Sequence, residues 1–298
     1  MKILLTGGTG FLGGDFLEIE AKKHEIFSSY RNHVGKEFEK VKWIKLNLIY
    51  EDDFEKAYDQ LRDVGIEAVV HIGGASPNRA YIDGGYDATI KGTKNLLNLA
   101  KKLSVQKFVF ISSICVEFSQ KGPYAESKII AEKMVKDSEL NYSILRPGAI
   151  IGKNSTDLCR VSKILSKVKY FPIVGKGDAI ERPIYSNDLV KIIDFCITNH
   201  ETDFNTYPTV GPVAISRKDF FKLIASVNKN KVVFLPIPSF LAKISAYFIE
   251  RLFPTLGVTT ERINIALSSV NPDLDKMKIF NFKYASLDKM FSELSVYL

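Results

Sequence analysis

Thr6-Gly7-Gly8-Thr9-Gly10-Phe11-Leu12-Gly13 is the stretch on which the reading of the chain turns. It follows directly on the apolar run Ile3-Leu4-Leu5 and opens a helical segment, so it stands at a strand-to-helix turn. Gly7 permits the tight turn, Gly10 lets backbone N–H groups approach a pyrophosphate, and Gly13 allows the helix to pack closely on the strand. Phe11 and Leu12 start the helix, whose N-terminal dipole favours phosphate charge. Glycines also serve ordinary turns; the strand-turn-helix setting is what makes this triplet a dinucleotide site.

Outward from that turn, short apolar runs alternate with helical patterns, as βαβ units around a parallel sheet require. Strands are predicted near Ile3–Thr6, Ile26–Tyr30, Trp43–Leu46, Ala68–Ile72, Lys107–Ser112 and Tyr142–Arg146. Thr93–Leu103 carries apolar residues at helical spacing, and Glu51–Leu61 does so more weakly. The predicted fold is α/β: a Rossmann-type, doubly wound parallel sheet with a smaller C-terminal substrate-binding lobe. Residues 1–150 form the dinucleotide-binding domain, 184–200 return to it, and 151–298 are mainly the substrate lobe. The stretch Ser239–Phe253 is apolar and helical in period, interrupted by Lys243 and Arg251. A packed helix of the second lobe or a dimer contact is expected there, ahead of attachment to a membrane surface.

With 298 residues, 46% hydrophobic and 25% charged, the chain can bury a large core, which excludes a disordered or fibrous protein. Three widely spaced cysteines, Cys115, Cys159 and Cys196, make neither a disulfide framework nor a CxxC metal site. They suit a reducing compartment, and no metal is expected. The apolar start at Met1–Thr6 is too short for a signal peptide, and no run approaches a membrane span. A cytoplasmic enzyme is expected. The net charge of +7 is spread along the chain rather than clustered, so no nucleic-acid partner is expected.

The choice of dinucleotide is read after the second strand, where a carboxylate would hold the ribose 2′-hydroxyl of NAD. This chain has Ser28-Ser29-Tyr30-Arg31-Asn32 there. Arg31 can pair with a 2′-phosphate or stack on adenine, so NADP(H) is expected over NAD(H).

Tyr124-Ala125-Glu126-Ser127-Lys128 places a phenol and an ammonium four residues apart, on one helix face. A tyrosine with pKa near 10 is a poor base at neutral pH, and a nearby Lys⁺ helps to lower it. Upstream, Ser112-Ser113 ends a strand at its carboxyl edge, where ligands bind in such sheets. Ser113 can hydrogen-bond the reacting oxygen.

The chain resembles the extended short-chain dehydrogenases/reductases, specifically the NAD(P)-dependent epimerase/dehydratase and nucleotide-sugar reductase group. The resemblance runs nearly end to end. It rests on Thr6 to Gly13, His71-Ile72-Gly73-Gly74-Ala75, Gly92 to Leu97, Ser112-Ser113, Tyr124 to Lys128, Leu145-Arg146-Pro147-Gly148 with Ile151-Gly152, Pro183 to Leu189, and Asn271 to Lys276. It implies a bilobed enzyme that holds a nucleoside-diphosphate sugar in its C-terminal lobe. Tyr124 is then the general acid/base at the sugar C4 oxygen, Lys128 orients the nicotinamide ribose, and Ser113 polarises the substrate. The resemblance also implies that Gly73, Gly74 and Ala75 line the pyrophosphate, with Pro147 to Ile150 at the nicotinamide. Asn47-Leu48 stands where relatives usually have Asp-Leu beside the adenine. Arg182 or Arg262 would suit the sugar-linked diphosphate, although Arg182 is one place off the usual alignment. Helices such as the one bearing Tyr124 often pair in relatives, which implies a homodimer.

Two departures narrow the reaction. The 4,6-dehydratases of the group follow the catalytic hydroxyl with Asp-Glu; here Ser113 is followed by Ile114-Cys115, against a dehydratase. Cys115 stands where the GDP-fucose synthase type has an acid/base cysteine, a role that needs an accessible thiol of lowered pKa. A small buried residue is the expected alternative. A reductase of a non-sugar carbonyl or hydroxysteroid-like substrate is the competing enzyme reading, and a non-catalytic dinucleotide-binding protein a third.

Overall fold

The first strand, β1 (Lys2–Thr6), is apolar and buried on both sides, as a central strand of a parallel sheet must be. The computed structural model that shows this describes residues 1–74, 86–153, 155–227, 230–253 and 258–293. In chain order β1 is followed by α1 (Phe11–Glu20), β2 (Glu25–Tyr30), β3 (Val41–Lys45), α2 (Glu51–Leu61), β4 (Ala68–His71), α3 (Asp87–Lys102), β5 (Lys107–Ile111), α4 (Pro123–Lys136) and β6 (Tyr142–Pro147). Then come β7 (Ile150–Ile151), α5 (Thr156–Leu165), β8 (Tyr170–Val174), β9 (Ile180–Glu181), β10 (Ile184–Tyr185), α6 (Ser186–Thr198) and β11 (Asn205–Thr209). The chain closes with β12 (Ile215–Ser216), α7 (Arg217–Val227), β13 (Val233–Ile237), α8 (Ser239–Leu252), α9 (Thr260–Leu267) and α10 (Leu287–Ser292).

Seven of the described strands form one parallel sheet in the order β11-β6-β5-β4-β1-β2-β3. The order reverses at β1, so β1 and β4 flank the crevice where such sheets bind ligands. The period-two alternation of strands sorts the core into two layers. Ile3, Leu5, Val70 and Val109 face α1 and α6, while Leu4, Val69, Phe108 and Phe110 face α2, α3 and α4. The helices follow from local rules. Glu51, Asp52 and Asp53 complement the dipole of α2, whose Phe54, Ala57 and Leu61 turn inward. Pro123 opens α4 at a position where no N–H is needed.

Six strands were expected in the main sheet, and the seventh, β11, is the difference. Its sequence, Asn205-Thr206-Tyr207-Pro208-Thr209, is polar and holds a proline, so it reads as a loop. Proline is tolerated there because β11 is an edge strand beside β6.

A third apolar cluster lies apart from the sheet. It gathers Ile151, Leu165, Ile173, Tyr185, Phe220, Ile224, Phe234 and Phe291 from the second half of the chain. Its two-stranded β8–β13 ribbon turns Phe171, Ile173 and Phe234 toward this cluster. Helix α8 forms where the periodicity predicts it, but it buries only Ala242 and Ala246. The expected packed face is the small one, and the bulky side chains point outward.

Candidate active site

The cofactor side is assembled from turns at the carboxyl ends of β1, β2, β3 and β4. Gly7 has φ +82°, and a Cβ on it would lie 2.8 Å from the Gly73 nitrogen. A Cβ on Gly13 would lie 2.1 Å from the Gly7 carbonyl oxygen, so the helix can start this close to the turn only as glycine. Leu48 packs against both Gly73 and Gly92, while the Asn47 side chain accepts from its own loop at Ile49 N–H, 3.3 Å. Phe11 packs beside Gly152, which ties the glycine turn to the segment after Pro147 and Ile150. Ser28 and Ser29 are buried at the end of β2, with Arg31 at the exposed turn beyond. Ala75 lies outside the described residues.

A dinucleotide fits this cradle. The N-cap of α1 is Gly10, with no side-chain cap and no acidic residue in the first turn. The first N–H groups of the helix are thus left for an anion.

Behind the cradle, buried side chains form one ordered hydrogen-bond chain. Gly73 N–H donates to Thr6 Oγ1 at 3.2 Å, Thr6 Oγ1 lies 2.6 Å from His71 Nδ1, His71 Nε2 lies 3.1 Å from Thr93 Oγ1, and Thr93 donates to the Thr89 carbonyl at 2.6 Å. The two ends set the direction. Thr93 spends its proton on a carbonyl, so it accepts from His71 Nε2–H, and the bare Nδ1 accepts from Thr6. His71 is therefore the neutral Nε2–H tautomer. Burial, with the nearby Lys128 charge, pushes its pKa down to about 3.

On the substrate side, Ser113 caps the short 3₁₀ turn Ile114–Glu117 after β5, its hydroxyl accepting from Cys115 N–H at 3.2 Å. The Tyr124 phenol is buried beside this hydroxyl. Burial holds the phenol well above its ordinary pKa, with Cys115 and Glu261 adding and Ser113 drawing it down. One turn on, Lys128 Nζ donates to the Ile111 carbonyl at 2.9 Å. Burial lowers its pKa to about 8, against the opposing pull of Glu132. The structure thus brings Ser113, Tyr124 and Lys128 together at the carboxyl edge of β5.

Four further groups were not singled out by sequence reasoning. Glu132, on the same face of α4 as Lys128, accepts from Ser112 at 2.6 Å and from Arg146 at 2.9 and 2.6 Å. Its i+4 spacing from Lys128 was the signal that could have found it. Glu261, in the first turn of α9, accepts from Tyr124 N–H at 2.8 Å and from the Tyr86 hydroxyl at 2.9 Å. A buried ion pair, Glu181 with Arg217, stands on the same side. These three residues are too far from Tyr124 in sequence for any spacing rule.

The thiol of Cys115 is pushed up to about 11 by burial, with Glu181 and Glu261 adding to it and Ser113 and Arg217 opposing. It lacks the lowered pKa that an acid/base cysteine needs, and the small-buried-residue reading fits better. Arg182 directs its guanidinium to the Pro212 carbonyl at 2.9 Å. Arg262 follows Glu261 in the capped first turn of α9.

The Rossmann-type sheet, the glycine turn and the Ser-Tyr-Lys cluster define a class, the extended short-chain dehydrogenases/reductases. Within it, residues 3–207 match the NAD dependent epimerase/dehydratase family, and the chain belongs to that family. Among curated relatives, it is 22% identical over 277 residues to the N-acetyl-alpha-D-glucosaminyl-diphospho-ditrans,octacis-undecaprenol 4-epimerase of Escherichia coli O157:H7, covering 86% of this chain and 81% of that protein. It is 28% identical over 261 residues to the photosystem II assembly factor Ycf39 of Cyanophora paradoxa, covering 84% and 77%. Among solved structures, the UDP-glucose 4-epimerase of Thermotoga maritima with UDP-glucose superimposes with a TM-score of 0.78 at 17% identity, over 100% of this chain and 98% of that one. That likeness is one of fold.

Proposed function

We propose that this protein is an NAD(P)-dependent reductase or epimerase that acts at C4 of a nucleoside-diphosphate sugar. The observation that carries this reading is the buried cluster of Ser113, Tyr124 and Lys128 at the carboxyl edge of β5, with Lys128 one turn from Tyr124 and bonded to the Ile111 carbonyl at 2.9 Å. Support for the sugar comes from relatives: one is named for a diphosphate-linked sugar and another holds UDP-glucose.

In this reading residues 1–150, with 184–200, hold the dinucleotide, and the rest of 151–298 holds the substrate. Gly7, Gly10 and Gly13 hold the pyrophosphate together with Gly73 and Gly74. Asn47 and Leu48 lie by the adenine, Pro147 and Ile150 by the nicotinamide. When bound, the cofactor supplies hydride exchange with the sugar carbon. Tyr124, protonated in its buried setting, delivers its proton to the C4 oxygen, while Ser113 donates a hydrogen bond to that oxygen. Lys128 steadies the phenolate left behind and holds the ribose. Protonated tyrosine is the form that reduction of a 4-keto sugar requires. Of the two arginines, Arg262 stays in the proposal as the neighbour of Glu261 in the first turn of α9, while Arg182 donates to the Pro212 carbonyl. A homodimer would use the outer face of α4, where Ile129 and Ile130 are exposed.

NADP(H) is the proposed dinucleotide, because no carboxylate follows β2 and Arg31 does. Arg31→Ala should weaken NADPH binding by roughly tenfold or more while leaving NADH nearly unchanged, since one charge-assisted contact to the 2′-phosphate is lost. Equal losses for both cofactors would remove the preference.

The deciding experiment is calorimetric titration of UDP, dTDP and GDP sugars into the NADPH-loaded protein, with Tyr124→Phe as the control for turnover. Micromolar binding of one nucleotide sugar, with turnover lost in the variant, supports the reading. Intact NADPH binding with no sugar bound would sink it in favour of a non-sugar carbonyl substrate.

A further inference from the structure

Helix α8 is inverted relative to an ordinary surface helix. Toward the protein it buries only Ala242 and Ala246, while Phe240, Leu241, Ile244, Tyr247, Phe248 and Leu252 stand 45–68% exposed. Their spacing, i, i+1, i+4, i+7, i+8 and i+12, keeps them on one side of the helix. Monomeric soluble proteins rarely leave so many bulky apolar side chains together in water.

The exposure continues into the strand before it. Val233 and Leu235 of β13 pair in register with Tyr170 and Pro172 of β8, and all four side chains are exposed while Phe171, Ile173 and Phe234 face the core. Pro238 alone separates β13 from α8.

The charge along these stretches is mostly basic, although α8 also carries Glu250, which accepts from Thr260 N–H at 3.1 Å. From Phe220 to Ile249 the chain has no Asp or Glu but has Lys222, Lys229, Lys231 and Lys243; from Leu158 to Gly177 it again has no acid, but five Lys and Arg residues. Lys169 leans on an exposed ring, its Nζ 5.6 Å from the Tyr170 centroid, and Arg251, just beyond these stretches, has its guanidinium 3.9 Å from the Tyr247 centroid.

We propose that this face docks onto an anionic phospholipid bilayer, with α8 lying in the interface. Bulky aliphatic and aromatic side chains enter the acyl boundary, and the lysines and arginines remain among the headgroup phosphates. A second copy of the chain fits less well, because pairing this face with itself brings the two sets of cations together. Among the described residues no helix can cross a membrane, so the attachment is peripheral. It also reaches the site: Lys243 Nζ bonds Gln120 Oε1 at 3.2 Å, across a cavity of about 420 Å³ that extends to Ile114, next to Ser113. The inference does not depend on the nucleotide-sugar reading.

The test is cosedimentation of the full chain with large unilamellar vesicles, made either of phosphatidylcholine alone or of equal parts phosphatidylcholine and phosphatidylglycerol. The protein should pellet with the anionic vesicles at least roughly tenfold more strongly than with the neutral ones, and release as salt is raised. The triple variant Phe240→Ser, Ile244→Ser, Phe248→Ser should lose about tenfold or more of that binding while keeping its thermal melt and NADPH affinity. Failure of the parent protein to bind anionic vesicles at low salt overturns the proposal, as does undiminished binding by the variant. Sedimentation velocity without lipid gives a further check: a dimer of the parent that the variant abolishes would assign the face to a second copy instead.

Discussion

His71 and Lys128 show what single buried groups do here. The folded chain holds His71 neutral with its pKa near 3, whereas the unfolded chain protonates it near 6.5. Between those values the unfolded state binds the extra proton, so the contribution of His71 to stability falls as pH drops through that window, by up to about 1.4 kcal/mol per pH unit. His71→Gln should flatten that part of the acid denaturation profile in urea melts between pH 6.5 and 4. An unchanged slope would mean that His71 is not buried as a neutral group. Lys128 behaves in the same way, at higher pH. Its folded pKa of about 8 lies below the ordinary 10.5, so stability rises with pH across that interval, and below pH 8 the folded chain carries the full cost of the buried ammonium. That net cost is on the order of 3 kcal/mol, with the bond to the Ile111 carbonyl already inside it. Lys128→Met should therefore stabilise the cofactor-free protein at pH 7, by an amount that shrinks above pH 8, while turnover falls by about a hundredfold or more. A variant less stable than the parent at pH 7 would refute the assignment.

At the scale of the element, α4 does most of the organising. Tyr124, Lys128 and Glu132 recur every four residues, so a single helix presents the phenol, the ammonium and a carboxylate that accepts from Ser112 and Arg146. Glu132→Gln removes one of the two carboxylates around the part-buried Arg146, which keeps Glu117, and should cost about 1–3 kcal/mol, read as a lower melting temperature. Because Glu132 pulls the pKa of Lys128 upward, the same change should move the alkaline limb of the activity profile to lower pH. A profile that keeps its alkaline limb in place would separate Glu132 from Lys128. Much of this element was legible beforehand. Tyr124 and Lys128 were found because their spacing is a property of one helix, and Ser113 because it ends a strand. Edge strand β11 was not legible, because Pro208 and its polar neighbours carry no strand pattern, and only β6 beside it supplies the partner.

At the scale of the molecule, the site is shared between the two halves of the chain. Glu261 reaches from α9 to the first turn of α4, where its charge meets the positive end of the helix dipole and the N–H of Tyr124. Glu261→Ala should take away the acceptor of that N–H and the carboxylate to which the Tyr86 hydroxyl donates, at a cost of about 1–3 kcal/mol. The measurements are faster amide exchange in the first turn of α4 and a lower kcat; unaltered exchange at Tyr124 would show that α9 does not hold the catalytic helix. The sequence by itself determined the Rossmann-type class, the glycine cradle and the Ser-Tyr-Lys cluster, since each depends on spacing within one turn, helix or strand end. Only the tertiary structure decided that Glu261 caps the helix of Tyr124 and Lys128, that Thr6, His71 and Thr93 form one proton-ordered chain, and that the bulky side of α8 faces outward. Those outcomes depend on which distant elements meet and which face they cover, and no local periodicity records that.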